Sequence, residues 1–372
     1  MPAWKDDPAV VACDHGARDH GARDHGARDH GARDHGARPA DAVLRWSRRL
    51  LDPALRGAVD AMPDTARRIA AYHFGWRDER GRPASGPAGK AIRPALALLA
   101  AEAAGGTAAS ALPAAVAVEL AHNFSLLHDD VMDGDPTRRH RPTAWTVFGT
   151  NAAILAGDAL LAAAYGALAD GDSPAVAPGV RVLARAVVDL VEGQCADLSF
   201  EDRTDVTLDA CLTMANRKTG ALMGAACALG ALYGGAATAE ADRLRTFGER
   251  FGLAFQLTDD LLGIWGDPAV TGKPVRSDLH NRKKSLPVVA ALTSATPAAA
   301  ELADLYRPRG EPLSAGDTAR AAALIEATGA RAWAAAHADT LLAEAEECLT
   351  GMAPTPSAEL LTLARLTTHR DH

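Results

Sequence analysis

The sequence of 372 residues is poor in several things at once. Aromatic residues make up 5% of it, and only six lysines occur. The five cysteines (Cys13, Cys195, Cys211, Cys227, Cys348) are an odd set without a Cys-x-x-Cys pair. That excludes a disulfide scaffold and reads as reduced, mostly buried thiols of a cytoplasmic protein. Alternating Val/Ile/Thr runs, the mark of β-strands, are nearly absent. No apolar run approaches the roughly 20 residues of a membrane helix without an interrupting charge, so stable membrane insertion is not expected. The first residues, Met-Pro-Ala-Trp-Lys-Asp-Asp, lack the basic start and apolar stretch of a signal peptide. A net charge of −8 disfavours nucleic acid as a partner. With 48% hydrophobic and 23% charged residues, the chain is neither collagen-like nor wholly disordered.

Two regions then separate. Asp-His-Gly-Ala-Arg occurs five times from Asp14 to Arg38. A five-residue period matches neither a helix face nor a strand face. Each unit carries a Gly and nothing that can build a core. Residues 1–40 are therefore expected to be a disordered tail, open to a partner that the sequence does not identify. His15, His20, His25, His30 and His35 offer at most weak metal binding, and a repeat expansion without a site is the simpler reading. From residue 41 to 372 the composition is uniform. Ala/Leu-rich stretches with apolar residues at helical spacing run through Ile92–Ala104, Leu112–Leu127, Ala152–Leu168 and Arg181–Asp197, since Ala and Leu are the best helix formers. One all-α domain of many packed helices is expected over 41–372.

The sharpest local signal is Leu126-Leu127-His128-Asp129-Asp130-Val131-Met132-Asp133. On a helix, Asp129 and Asp133 share a face. Two carboxylates there repel each other unless a cation intervenes, and one or two carboxylates plus water and phosphate oxygens is the shell that Mg²⁺ prefers. A second acidic pair, Asp259-Asp260, ends another apolar stretch, Phe247 to Leu257. One such pair arises by chance; two at helix ends suggest acidic clusters facing each other across a cavity. Arginine supplies most of the positive charge, so the lysines stand out. Lys90 precedes Ile92-Arg93-Pro94, and Lys218 lies in Arg217-Lys218-Thr219-Gly220. Lys273 and Lys283-Lys284 follow the second acidic pair, and Arg138-Arg139 and Arg141 follow the first. Lys as a point charge and Arg as a fork are the common phosphate binders, so a diphosphate substrate is implied.

In order and spacing these motifs resemble the trans-polyprenyl (isoprenyl) diphosphate synthases. The resemblance runs from about Leu44 to the last helices. It is carried by Gly89-Lys90-Ala91-Ile92-Arg93-Pro94, His122-Asn123-Phe124-Ser125 with the first acidic motif, Arg138-Arg139, Gly157-Asp158, Gly193-Gln194, Lys218-Thr219-Gly220, Phe255-Gln256 with Asp259-Asp260, and Gly272-Lys273-Pro274. It implies an isoprenoid synthase-type helical bundle around a central cavity, usually as a homodimer. It implies three Mg²⁺ ions, replaceable by Mn²⁺, held by Asp129, Asp130 and Asp133 and by Asp259 and Asp260, with Asp129, Asp133 and Asp259 as direct ligands. Arg138, Lys218, Thr219, Gln256, Lys273 and Lys283 would contact the allylic diphosphate. Lys90, Arg93, His122 and Arg139 would bind isopentenyl diphosphate.

One departure is plain. The family's second motif usually ends in Asp, whereas position 263 is Gly; the acids left nearby are Asp259, Asp260 and Asp267. Product length follows from the residues before Asp129: Phe124 with the small Ser125 resembles the geranylgeranyl (C20) makers, with farnesyl (C15) next. His128 is expected to orient Asp129, and Gln194 and Asp197 to line the cavity and hold metal-bound water. Trp145 and Trp265 read as core. The competing functions are a class I terpene cyclase, whose second metal motif is not found, and a non-catalytic subunit recruited through the tail.

Overall fold

The computed structural model describes residues 36–84, 86, 89–267, 276–307 and 312–368. Residues 1–35 of the expected disordered tail, and Lys273, lie outside these residues. The helices are α1 (Ala40–Asp60), α2 (Asp64–His73), α3 (Ile92–Ala103), α4 (Leu112–Met132), α5 (Ala144–Phe148), α6 (Thr150–Ala169), α7 (Val176–Phe200) and α8 (Leu208–Ala215). A π-helical turn, Asn216–Gly220, leads into α9 (Ala221–Tyr233) and α10 (Thr238–Trp265). The series closes with α11 (Ser277–His280), α12 (Leu286–Leu292), α13 (Pro297–Leu305), α14 (Ala315–Ala327), α15 (Ala330–Cys348) and α16 (Pro354–Thr368). The all-α expectation holds, with one addition. Thr137–Arg138 (β1) and Arg141–Pro142 (β2) form a two-residue antiparallel ladder.

Helices α3, α4 and α9 are apolar on nearly every side and buried, as central helices must be. Around them α6 packs on α4, and α10 on α9. Close approach needs small residues: a Cβ at Gly230 would strike the Ala97 backbone. A second core gathers Ile264, Leu279, Val288, Leu302, Tyr306 and Ile325, joining the end of α10 to α11–α14.

Two expectations are refined. Arg38, which closes the fifth repeat, belongs to the fold: its Nε donates to Glu359 at 2.7 Å and its guanidinium lies 3.9 Å over the Trp46 ring. And α6, despite Asp158, is long and apolar enough to span a membrane, with mean hydropathy 1.7. Here it packs on α4 and α2, leaving Ile154 and Leu155 exposed.

Candidate active site

The first acidic cluster sits at the C-terminal end of α4, where the helix dipole is negative and carboxylates are least welcome. Asp133 caps the helix, its N–H donating to the Asp129 carbonyl at 2.8 Å. Burial pushes Asp129 up to about 6; Lys218 opposes that shift and Asp133 adds to it. Burial also raises Asp130 and Asp133, against Arg138 and Lys218 respectively. Asp130 accepts from Arg138 Nε at 2.6 Å through Oδ1, while its Oδ2 is buried without a hydrogen-bond partner. Hard oxygen donors, mutual repulsion and an orphaned carboxylate oxygen fit a divalent cation such as Mg²⁺. Among the described residues no three His, Cys, Asp or Glu side chains converge enough to hold an ion by themselves, so water and substrate oxygens would complete its shell.

The second cluster is organised differently. Both oxygens of Asp260 are engaged: Gln256 Nε2 donates to one at 2.7 Å and the Leu286 N–H to the other at 2.9 Å. Gln256 in turn accepts from Thr219 Oγ1 at 2.7 Å. Burial pushes Asp260 up to about 6, with Lys283 opposing. Asp259, one residue earlier, is exposed.

Two lysines connect the clusters. Lys218 Nζ donates to Asp197 at 2.6 Å and acts electrostatically on Asp129 and Asp133. Burial works against the charge of Lys283, but Asp278, Asp260, Asp197 and Asp259 outweigh it and raise its pKa; Lys283 also acts on Asp133. The two acidic segments therefore border one space. Lys218 and Thr219 lie on the π-helical turn, a distortion that often marks functional sites.

Beside this space lies a basic group. Arg139 and His140 form the turn between β1 and β2, both with positive φ (51° and 61°). This is unusual for non-glycine residues, and such strain tends to gather at functional sites. The turn sends Arg138 to Asp130 and lays the Arg139 guanidinium against Gly89, next to Lys90. Burial lowers Arg93 to about 10, with Glu119 opposing, and drives His122 well below its usual range, with Arg93 adding to the effect. His73 joins them; burial, then Arg139 and Arg138, lower it to about 3. His73 Nε2, Arg93 Nε and Asn123 Oδ1 are buried without partners. Sequence reasoning missed His73, since a lone His at the end of α2 carries no motif. A small cavity lined by His73, Asp130, Arg138 and Arg139 marks where this group meets the first cluster.

Other candidates are spoken for. Lys284 Nζ donates to the carbonyls of Phe200 and Glu201, capping α7. Arg141 holds the Tyr72 and Arg77 carbonyls. His128 does not orient Asp129: its Nε2 lies 2.9 Å from the Ile154 carbonyl, and its ring meets Phe124 edge-on at 4.8 Å. Asp197 is committed to Lys218, and Gln194 is buried with neither amide atom bonded. Trp145 packs against the core and donates to the Asp135 carbonyl at 2.8 Å, bracing the loop after the first cluster. Of the cysteines, Cys211 and Cys227 are buried, while Cys195 is exposed.

A family model described as polyprenyl synthetase matches residues 81–324, a span that holds both acidic clusters and all of the basic group but His73. The chain belongs to the polyprenyl synthetase family. Its (2E,6E)-farnesyl diphosphate synthase relative from Mycobacterium tuberculosis is 48% identical over 326 residues, covering 87% of this chain and 91% of that one. The geranylgeranyl diphosphate synthase of the same organism is 45% identical over 337 residues, covering 90% and 95%. The crystal structure of polyprenyl synthetase from Streptomyces coelicolor A3(2) superposes with a TM-score of 0.85 at 45% identity, covering 88% of this chain and 99% of that one. This member of the family thus has the all-α isoprenoid synthase fold and is a prenyltransferase with trans-prenyl diphosphate synthase activity.

Proposed function

We propose that this synthase condenses isopentenyl diphosphate head-to-tail with an allylic diphosphate and releases geranylgeranyl diphosphate (C20). The observation that carries the reading is that Lys218 and Lys283 tie two acidic clusters to one space, next to a separate basic group. Each substrate diphosphate then has its own receptor.

Asp129, Asp133 and Asp259 would hold Mg²⁺, which neutralises and polarises the allylic diphosphate. Arg138, Lys218, Thr219, Gln256 and Lys283, with Lys273, supply the fixed donors around the departing diphosphate. Positioned donors of this kind stabilise charge as it develops. The allylic C–O bond breaks, and its electron pair leaves with the diphosphate. Lys90, Arg93, His122 and Arg139, with His73 beside them, hold isopentenyl diphosphate so that its double bond attacks the allylic carbon. A proton is then lost to the released diphosphate. Exclusion of water would keep the cation from being quenched before that attack.

Chain length rests on the face of α4 below Asp129. Ser125 lies one turn beneath Asp129 and is small; Phe124 stands to one side, braced by His128. That leaves room for a longer product than two adjacent aromatics would. A homodimer through α6 and α7 is supported by the exposed apolar side chains Ile154, Leu155, Val188 and Val191 on these two packed helices.

The test is incubation with labelled isopentenyl diphosphate, Mg²⁺ and each of dimethylallyl, geranyl and farnesyl diphosphate. Elongation ending at C20 is expected. Arrest at C15 would overturn the length assignment. Cyclised hydrocarbon without isopentenyl uptake would indicate a cyclase, and no product would indicate a non-catalytic subunit. Ser125→Phe should shorten the product toward C15, and Phe124→Ala should lengthen it; an unchanged distribution in both would remove the floor from these residues.

A further inference from the structure

Position 263, one turn after Asp259 on α10, is the place where a third acid is missing. The remaining acid along the chain, Asp267, lies beyond the end of α10 and is exposed. The space beside Gly263 is nevertheless filled by a carboxylate. A Cβ built on Gly263 would fall within overlap distance of Asp278 Oδ2, and 2.7 Å from its Cγ. Asp278 comes from α11, the next described helix after α10.

That position is held from several directions. Leu279, the next residue, is fully buried in the second core. The Lys283 N–H donates to the Asp278 carbonyl at 2.8 Å, and the Leu313 N–H to the His280 carbonyl at 2.9 Å. Arg282 Nε donates to the Leu305 carbonyl at 3.0 Å. Arg276 and Arg282, which flank the turn, both have positive φ (61° and 50°). Such a backbone persists only where its surroundings over-determine it.

We infer that Asp278 is a positioning residue that replaces the missing acid of the second motif, and that Gly263 is the opening that admits its carboxylate. The carboxylate lies beside the α10 turn that carries Asp259 and Asp260, and it is the acid acting most strongly on the Lys283 ammonium. It therefore sets where that cation and the Asp259 carboxylate stand when a metal–diphosphate complex arrives. This rests on the reading of Asp259 as a metal ligand. The two positions should be antagonistic: a side chain at 263 pushes Asp278 out.

The experiment measures Mn²⁺ binding by electron paramagnetic resonance with inorganic pyrophosphate, together with the thermal midpoint, on the full chain. Asp278→Asn keeps the shape, removes the charge and should weaken Mn²⁺ binding about tenfold, as changes behind a metal ligand commonly do. Gly263→Ala should weaken it to a similar degree without lowering the midpoint, because Ala is the better helix former. Combined with Asp278→Asn, it should add nothing further. Gly263→Asp placed on Asp278→Ala should recover most of the affinity. Asp259→Ala is the control. If it removes the manganese bound at the second cluster while Asp278→Asn and Gly263→Ala bind like the parent, the inference is overturned and that metal site stands. If Asp259→Ala binds normally, the metal site and the inference both fall.

Discussion

The two acidic clusters have similar sequences and opposite constructions. At the end of α4, three carboxylates crowd the negative pole of a helix, one with an unbonded buried oxygen. On α10, Asp260 is satisfied at both oxygens and linked through Gln256 to Thr219, leaving Asp259 exposed beside it. The first cluster holds unspent negative charge; the second is a wired bracket that presents one exposed acid. A bundle that must grip a diphosphate and later release it needs both: a site that is costly until a cation arrives, and a frame that does not move.

The largest expected effect separates ligands from frame. Asp129→Ala and Asp259→Ala should each lower kcat/KM by about a thousandfold or more, since each would remove a group proposed to act on the departing diphosphate through Mg²⁺. The thermal midpoint of the metal-free protein should hold, or rise for Asp129→Ala. A fully active variant of either kind would refute its role. Asp260→Ala should reverse the pattern in stability. It strands the Leu286 N–H and the Gln256 amide and should cost about 1–3 kcal/mol of folding free energy, read by chemical denaturation; an unchanged midpoint would break the contrast.

A smaller effect is expected from pH. The pKa of Asp129 is raised from 3.8 to about 6 in the folded chain, so the folded state holds a proton that the unfolded state has released. Its ionisation therefore costs stability progressively as pH rises from about 4 to about 6. Without metal, Asp129→Asn should gain on the parent over that interval. Mg²⁺ with pyrophosphate should close the gap. A difference that does not vary with pH would sink this account.

Much of this was legible in the residues. Ala/Leu periodicity marked the helices, and the acidic pairs with the rare lysines marked the segments that the fold gathers into the candidate site. What stayed hidden is what depends on distant partners. Asp278 looks like any loop acid until α11 folds back onto Gly263. His73 enters the basic group only because the end of α2 is buried against the β1–β2 turn, and that turn runs through Arg139 and His140, whose side chains give no hint of positive φ. Lys284 and Arg141 looked like phosphate binders, since composition cannot tell a free cation from one holding backbone carbonyls. His128 adjoins Asp129 in sequence, but the helix turns its ring toward α6.

The most direct measurement is the anomalous scattering of Mn²⁺ in crystals grown with inorganic pyrophosphate. The account predicts manganese peaks beside both Asp129–Asp133 and Asp259, joined through a single pyrophosphate that also meets Lys218 and Lys283. Peaks confined to one cluster, or a pyrophosphate bound away from both, would contradict it.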